Sequence, residues 1–311
     1  MTPHEVDISW SVLRDITRRW AGEAAELESV TPLAGGSINT TIALGLKDNR
    51  KAVLKITPHR VVQTHVDEAW QLGLIAEAGA PAPQVYHSTV GSLDDPFSYI
   101  LMEYVEGLSL GEAKAICSSE ELDAIQADLA GQILKLHSRT NSHFQRAVGR
   151  DVKQYESWPA CYREIFDPIW HEVEKSGALP IKCRKMVGKV HERLERFIEH
   201  DDCPRLLHWD LWAGNLKVRC DEDGQWRVAA LLDPHCKYGH AEVELAYMEL
   251  FSTTTPAFMK AYQRERKLAP EYHQVRRPVY QLYSMLNDLH LFGPEYLKPT
   301  LAAIERVGHL V

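Results

Sequence analysis

Asp210, Asn215 and Asp233, set in His208-Trp209-Asp210-Leu211-Trp212-Ala213-Gly214-Asn215 and Leu231-Leu232-Asp233, have the types and spacing that phosphoryl transfer needs. Transfer from ATP requires one carboxylate to orient the attacking hydroxyl and two oxygen ligands to hold Mg²⁺ between the phosphates, because the protein contributes mainly positioning and charge neutralisation. Asp210 suits the first task, Asn215 and Asp233 the second. Between the two ligands lie β-prone runs, Leu216 to Arg219 and Trp226 to Leu232, joined by a turn at Asp223-Gly224. A hairpin there brings both ligands side by side.

Other residues fit the same chemistry. Ala34-Gly35-Gly36-Ser37-Ile38-Asn39 sits between two β-prone runs, where glycines let backbone N–H groups approach phosphates and Ser37 adds a hydroxyl. Alone, Gly-Gly-Ser is ordinary turn chemistry. No Gly-Lys-Ser/Thr follows to make a Walker motif. Lys55, in Ala52-Val53-Leu54-Lys55, lies on a strand from which a lysine reaches the α- and β-phosphates, and Glu68 near the start of the next helix can hold it. Singly, each reads as a solvated surface charge; their order after the glycine loop favours function. Met102-Glu103-Tyr104-Val105 supplies a hinge, where the Glu103 carbonyl and Val105 N–H bond the adenine edge between apolar neighbours such as Met102. His208 is expected to buttress the catalytic loop rather than act as a base. His235, Cys236 and His240 lack a fourth ligand at useful spacing, so zinc is not expected.

The apolar pattern supplies the elements that position these groups. An amphipathic helix is predicted from Trp10 onward, through Val12, Leu13, Ile16 and Trp20. Strands follow over Thr40 to Leu46 and Lys51 to Ile56, then a helix from Val66 to Ala78 ending at Gly79. Phe97 to Val105 reads as a buried strand, and Glu106-Gly107 marks the exit from the small lobe. The boundary therefore separates residues 1–105 from residues 106–311. Ser118 and Glu121 form a capping box for a helix over Ser119 to His137, and Met186 to Ile198 repeats the helical period. After Asp233 the chain reads as helical, with breaks near Pro256, Pro270, Pro278 and Pro294. No element is assigned within residues 141–175.

Composition narrows the class. At 311 residues, 45% hydrophobic and 25% charged, the chain fits a soluble globular protein of one large or two modest domains. It has neither a long apolar span nor a signal-peptide layout, so a cytoplasmic location without membrane association is expected. Six cysteines without a Cys-x-x-Cys pair are expected to be reduced thiols. A net charge of −8 and a pI near 6.0 argue against nucleic acid and suit an amine-bearing small molecule. A monomer is favoured.

From about Val30 onward the chain resembles the fructosamine/ketosamine kinases, a branch of the aminoglycoside-phosphotransferase-like kinase superfamily. The resemblance rests on HWDLWAGN (208 to 215), DPHCKYGHAEVELAYMELF (233 to 251), RRPVYQLYSMLNDLHLFG (276 to 293) and the loop AGGSIN. It implies an α+β, two-lobed protein-kinase-like fold, with a small β-rich N-lobe and a larger helical C-lobe. It also implies ATP-dependent phosphorylation of a sugar hydroxyl, the 3-hydroxyl of a ketosamine in the best-known members. On this resemblance Asp210 is the catalytic base, Asn215 and Asp233 hold Mg²⁺, Lys55 binds phosphates and Glu68 pairs with it. Trp212 matches a tryptophan beside the active site that can stack on a sugar, and Tyr238, Gly239, His240 and Glu242 match a signature after the metal-binding aspartate. The chain departs from the family in Trp209, where Gly is usual beside the base, and in Glu244, where Asp is common. The Phe-Gly expected after the large-lobe helix is absent. Trp209 therefore joins the candidate acceptor-binding residues. The rivals are an aminoglycoside, choline-like or secondary-metabolite kinase and a pseudokinase.

Overall fold

The computed structural model describes residues 8–33, 40–58, 64–92 and 97–311, so Gly35, Gly36 and Ser37 lie outside the described residues. Ser9 caps α1 (Trp10–Ala21), its hydroxyl accepting the Val12 N–H. Then come β1 (Leu27–Pro32), β2 (Thr40–Leu46), β3 (Lys51–Pro58), α2 (Thr64–Glu77), β4 (Val85–Thr89) and β5 (Phe97–Glu103). The strands form an antiparallel sheet ordered β1-β2-β3-β5-β4. Strand alternation sorts its side chains: Ile42, Leu44, Leu54, Ile56, Tyr99 and Leu101 pack with Leu13 and Ile16 of α1, while Ile100 and Met102 pack with Leu72 of α2. Lys55, between Leu54 and Ile56, therefore faces the α2 side.

Gly107 has φ +135 and an added Cβ would meet the Val218 carbonyl oxygen at 2.5 Å, so only glycine fits there. Beyond it lie β6 (Leu108–Ser109), α3 (Leu110–Ile116) and α4 (Ser119–Ser138). The Ser118/Glu121 capping box of α4 is formed in both directions, an arrangement worth about 1 kcal/mol. Next are β7 (Gln145–Arg146), α5 (Trp158–Ser176), α6 (Ile181–Glu192), α7 (Leu194–Ile198) and β8 (Arg205–Leu207). The single helix predicted over Met186 to Ile198 is thus two, divided at Arg193, whose φ −108 and ψ 13 lie outside the helical region. The hairpin β9 (Leu216–Cys220) and β10 (Trp226–Leu231) occurs where the sequence places it, with Gly224 at φ +77 in its turn.

The chain after Asp233 is not wholly helical: β11 (Lys237–Gly239) pairs with β7 and β8 before α8 (Ala241–Leu250), α9 (Pro256–Glu265), α10 (Arg277–Phe292) and α11 (Leu297–Val307). Pro256 sits in the first turn of α9, where the missing N–H has no helical partner to lose, and Pro278 follows a π-helical turn, Tyr272–Arg276, that runs straight into α10.

Two compact units result, one of Met1–Cys117 with Gly214–Pro234, the other of Ser118–Ala213 with His235–Val311. In the first, the β9–β10 hairpin adds β6, and the Leu231 N–H donates to the Pro81 carbonyl at 2.9 Å. In the second, α4 packs on α9, and α10 on α5, α8 and α11. Its core holds the fully buried rings of Trp158, Tyr162, Phe166, Tyr262 and Tyr280, with the Trp158 indole N–H donating to the Tyr280 hydroxyl at 2.9 Å. Among the described residues no disulfide forms and no helix is long and apolar enough to cross a membrane.

Candidate active site

The candidate residues fall into two groups, one in each unit. In the first, Lys55 is buried on β3 and its ammonium donates to Glu68 Oε1 of α2 at 2.6 Å. It also forms an ion pair with Asp233. Burial is the largest influence on Lys55 and pushes its pKa down, but the charges of Glu68 and Asp233 together hold it above its ordinary value. The lysine is therefore charged. Burial lifts the Glu68 carboxyl despite the lysine, as expected when one cation serves two acids.

Asp233 follows β10 with φ +56. Its side chain is 45% exposed where that of Lys55 is 7% exposed, so the carboxylate reaches from the lysine towards solvent. The Leu231↔Leu216 register closes the hairpin beside Asn215, whose carbonyl accepts the Leu232 N–H at 2.9 Å. His65, which the sequence did not single out, is buried in the same unit 3.3 Å from the Thr57 hydroxyl. Burial and the Lys55 charge push its pKa down to about 4, so the ring is neutral. Met102 is buried at the end of β5, while the Glu103 N–H donates to the Gln84 carbonyl at 2.8 Å and its carboxylate accepts the Gln84 N–H at 3.1 Å. Val105 follows the strand in irregular chain.

The second unit carries the loop His208–Ala213. His208 is buried; its Nδ1 accepts the Asp210 N–H at 3.3 Å and its carbonyl accepts the His235 N–H at 3.0 Å. Asp210 Oδ1 accepts a hydrogen bond from the Tyr247 hydroxyl of α8 at 2.5 Å. Burial, then the Asp210 charge, raise the Tyr247 pKa far above its ordinary value, so the phenol remains a donor. Tyr247 had no signal in the sequence, since one tyrosine on an apolar helix face resembles any core aromatic.

Trp209 has φ +77, a left-handed backbone that glycine adopts without cost and other residues at roughly 1–2 kcal/mol. Its N–H donates to Glu244 Oε1 at 2.7 Å, and Glu244 Oε2 is 2.9 Å from His137 Nε2, whose other ring nitrogen is 2.8 Å from the Tyr262 hydroxyl. This buried chain holds the strained residue in place. The Trp209 ring lies 6.4 Å from Trp158 and 6.5 Å from Tyr283, with Lys237 Nζ 4.0 Å above its centre. Burial, then the Arg146 charge, push the half-buried Lys237 down to about 7. Glu244→Ala should strand the buried His137 and the half-buried Trp209 N–H and cost about 2–6 kcal/mol, at 1–3 kcal/mol per unsatisfied group, with a matching fall in the urea midpoint. An unchanged midpoint would show that the loop is held elsewhere.

Trp212 is 44% exposed and can offer a ring face to a ligand. Tyr238, His240 and Glu242 are buried instead. His240 packs against the His200 ring at 4.1 Å and against Phe144 and Trp158, and burial, then the His200 charge, push its pKa down to about 3. Glu242 forms a two-point ion pair with Arg276, one contact at 2.9 Å. These contacts give the signature after Asp233 packing and anchoring work.

The family model described as fructosamine kinase matches residues 9–309. The protein named "Probable ketoamine kinase" from Klebsiella aerogenes is 27% identical over 95% of this chain and 98% of its own length. The chloroplastic protein-ribulosamine 3-kinase of Oryza sativa subsp. indica is 27% identical over 94% of this chain and 83% of its own. Among solved structures, the "putative fructosamine-3-kinase" from Thermobifida fusca aligns with a TM-score of 0.75 at 21% identity, covering 94% of this chain and 97% of that one. The α+β kinase-like fold expected from the sequence is the one observed.

Proposed function

Because the chain belongs to the fructosamine kinase family, we propose that it transfers the γ-phosphate of ATP to a hydroxyl of a ketosamine. The observation that carries this reading is Lys55 held between Glu68 and Asp233, a charged lysine beside a carboxylate that reaches towards solvent. Lys55 takes the α- and β-phosphates while Glu68 fixes its direction. Asn215 and Asp233 fit Mg²⁺, being hard oxygen donors for a cation that accepts one or two protein ligands and draws the rest from phosphate and water. Mg²⁺, when bound, neutralises charge on the phosphate oxygens. To the phosphates we also assign Gly35, Gly36 and Ser37, which lie outside the described residues, and to the adenine Met102, Glu103 and Val105.

Asp210 accepts the hydrogen bond of the acceptor hydroxyl and then its proton, as the hydroxyl oxygen bonds to the γ-phosphorus and the bond to the bridging oxygen breaks, releasing ADP. Tyr247, by donating to Oδ1, fixes the rotation of that carboxylate. Trp212 and Trp209 offer ring faces to the sugar.

Trp209 also favours a second reading, in which the bulk beside Asp210 admits an aminoglycoside, a choline-like amine or a secondary-metabolite alcohol. The test is coupled ADP release with Mg-ATP across fructosyl-amines, ribulosyl-amines, free sugars, aminoglycosides and choline. Turnover is expected on ketosamines alone. Turnover confined to another class would keep the kinase and discard the acceptor; silence throughout, with ATP still bound, would favour a pseudokinase.

A further inference from the structure

One buried acid in the second unit has no part in the chemistry described so far. Asp288 lies on α10 and is 8% exposed. It is the last member of a buried polar stripe, Gln281, Ser284 and Asp288, on one face of the helix. Gln281 Nε2 donates to the Ala246 carbonyl at 3.0 Å, which turns that stripe towards α8, where Tyr247 follows Ala246. Asp288 feels the Asp210 charge, and its own charge is felt by Tyr247, Tyr283 and Tyr296. Trp209 completes the surroundings through its ring contact with Tyr283.

All five neighbours are half-buried, whereas Asp288 is buried. A buried carboxylate is normally paired with a cation. Among the described residues no cation acts on it, Lys237 above the Trp209 ring interacting with Asp210 instead: burial and the Asp210 charge raise the carboxyl to about 6, and Asn287 alone opposes them with a hydrogen bond. A buried carboxylate on the helix face that Gln281 turns towards α8, with Tyr247, Tyr283 and a second carboxylate in its electrostatic surroundings, has the composition that attracts an organic ammonium. The acid supplies charge, and ring faces favour the N-alkyl groups.

We infer that Asp288, with the rings of Trp209, Tyr247 and Tyr283, forms the subsite for the protonated amine of the acceptor and selects cationic over neutral substrates. The name of the ligand rests on the kinase reading above; the charge selectivity does not. In a ketosamine, three carbons separate the amine from the 3-hydroxyl. Two neighbouring carboxylates divide these groups, Asp210 taking the hydroxyl and Asp288 the amine. A bound cation also relieves the repulsion between the two acids.

The test compares 1-butylamino-1-deoxyfructose with its neutral ether counterpart, 1-butoxy-1-deoxyfructose. For Asp288→Asn the KM of the amine should rise about thirtyfold or more, the scale for losing one partner of an enclosed charge pair, with kcat within about threefold and the KM of the ether unchanged. Asp288→Glu, which keeps the charge, should retain preference for the amine. Equal losses on amine and ether would mark Asp288 as structural and overturn the inference.

Calorimetric titration of both sugars without nucleotide supplies a readout independent of turnover and of variant folding. The unmodified protein should bind the amine at least about tenfold more tightly, consistent with an enclosed cation–π and charge contact. Equal binding of amine and ether overturns the subsite even if the protein proves to be a kinase. Selective binding of the amine with no phosphorylation of any ketosamine overturns the kinase reading and leaves the subsite standing.

Discussion

Asp210→Asn is expected to lower turnover by about two to four decades, the range for loss of a general base, while ATP binds with unchanged affinity. The substitution preserves shape, and a carboxamide oxygen can still accept the Tyr247 hydroxyl that now meets Oδ1. The backbone supports are untouched, because His208 holds the residue 210 N–H and Glu244 the Trp209 N–H. What asparagine cannot do is take the hydroxyl proton. Steady-state ADP release gives the turnover number, and calorimetry with ATP gives the affinity. A fully active Asp210→Asn protein would remove the residue from the chemistry.

Lys55→Met is expected to affect two observables. On its proposed role the substitution removes the ammonium assigned to the phosphates, and kcat/KM for ATP should fall about 10²–10³-fold, the scale for removing one fixed charge-stabilising donor. Stability should also fall, because Glu68 is buried and loses its cation. Breaking a buried pair costs about 3–5 kcal/mol when the remaining charge cannot neutralise. Glu68 can neutralise: burial already places its carboxyl above the ordinary 4.5, and methionine would lift it further. A carboxyl raised in the folded state binds its proton more tightly than in the unfolded chain, so stability is lost as pH rises from about 4.5 through the folded pKa. The deficit of Lys55→Met should therefore be smaller at pH 5 than at pH 8 in urea titrations. A deficit that does not change with pH would mean that Glu68 keeps its charge.

The sequence was most legible where function and local periodicity coincide. Lys55 reaches Glu68 because β3 alternates and α2 covers one face of the sheet, and the β9–β10 hairpin follows from two β-prone runs around Asp223-Gly224. The Ser118/Glu121 box marked the start of α4 to the residue. Contacts made across the fold were not legible. Tyr247 meets Asp210, and Glu244 meets Trp209, over separations that no local pattern encodes. β11 spans Lys237–Gly239, too few residues to show a period, and its pairing with β7 and β8 decides its conformation. α5 has a legible start, Ser157 as cap and Pro159 in its first turn, but it carries Pro168 in its interior, where proline ordinarily breaks a helix. One legible signal was passed over: the stripe Gln281, Ser284, Asp288 repeats at helical spacing within an apolar run, and polar residues on a buried face generally have a partner or a task.

The unit that holds Lys55 is discontinuous, since its hairpin with Asn215 and Asp233 is supplied only after Ser118–Ala213 has been traversed. During synthesis the ribosome releases β1 to β5 long before the residues assigned to the metal. A gene fragment ending at Cys117 would thus encode the sheet and the lysine while lacking both proposed Mg²⁺ ligands and the strand that pairs with β6. Excision, fusion or circular permutation must keep Gly214–Pro234 with the first unit, and the natural order of translation makes completion of that half one of the later events in the chain's maturation.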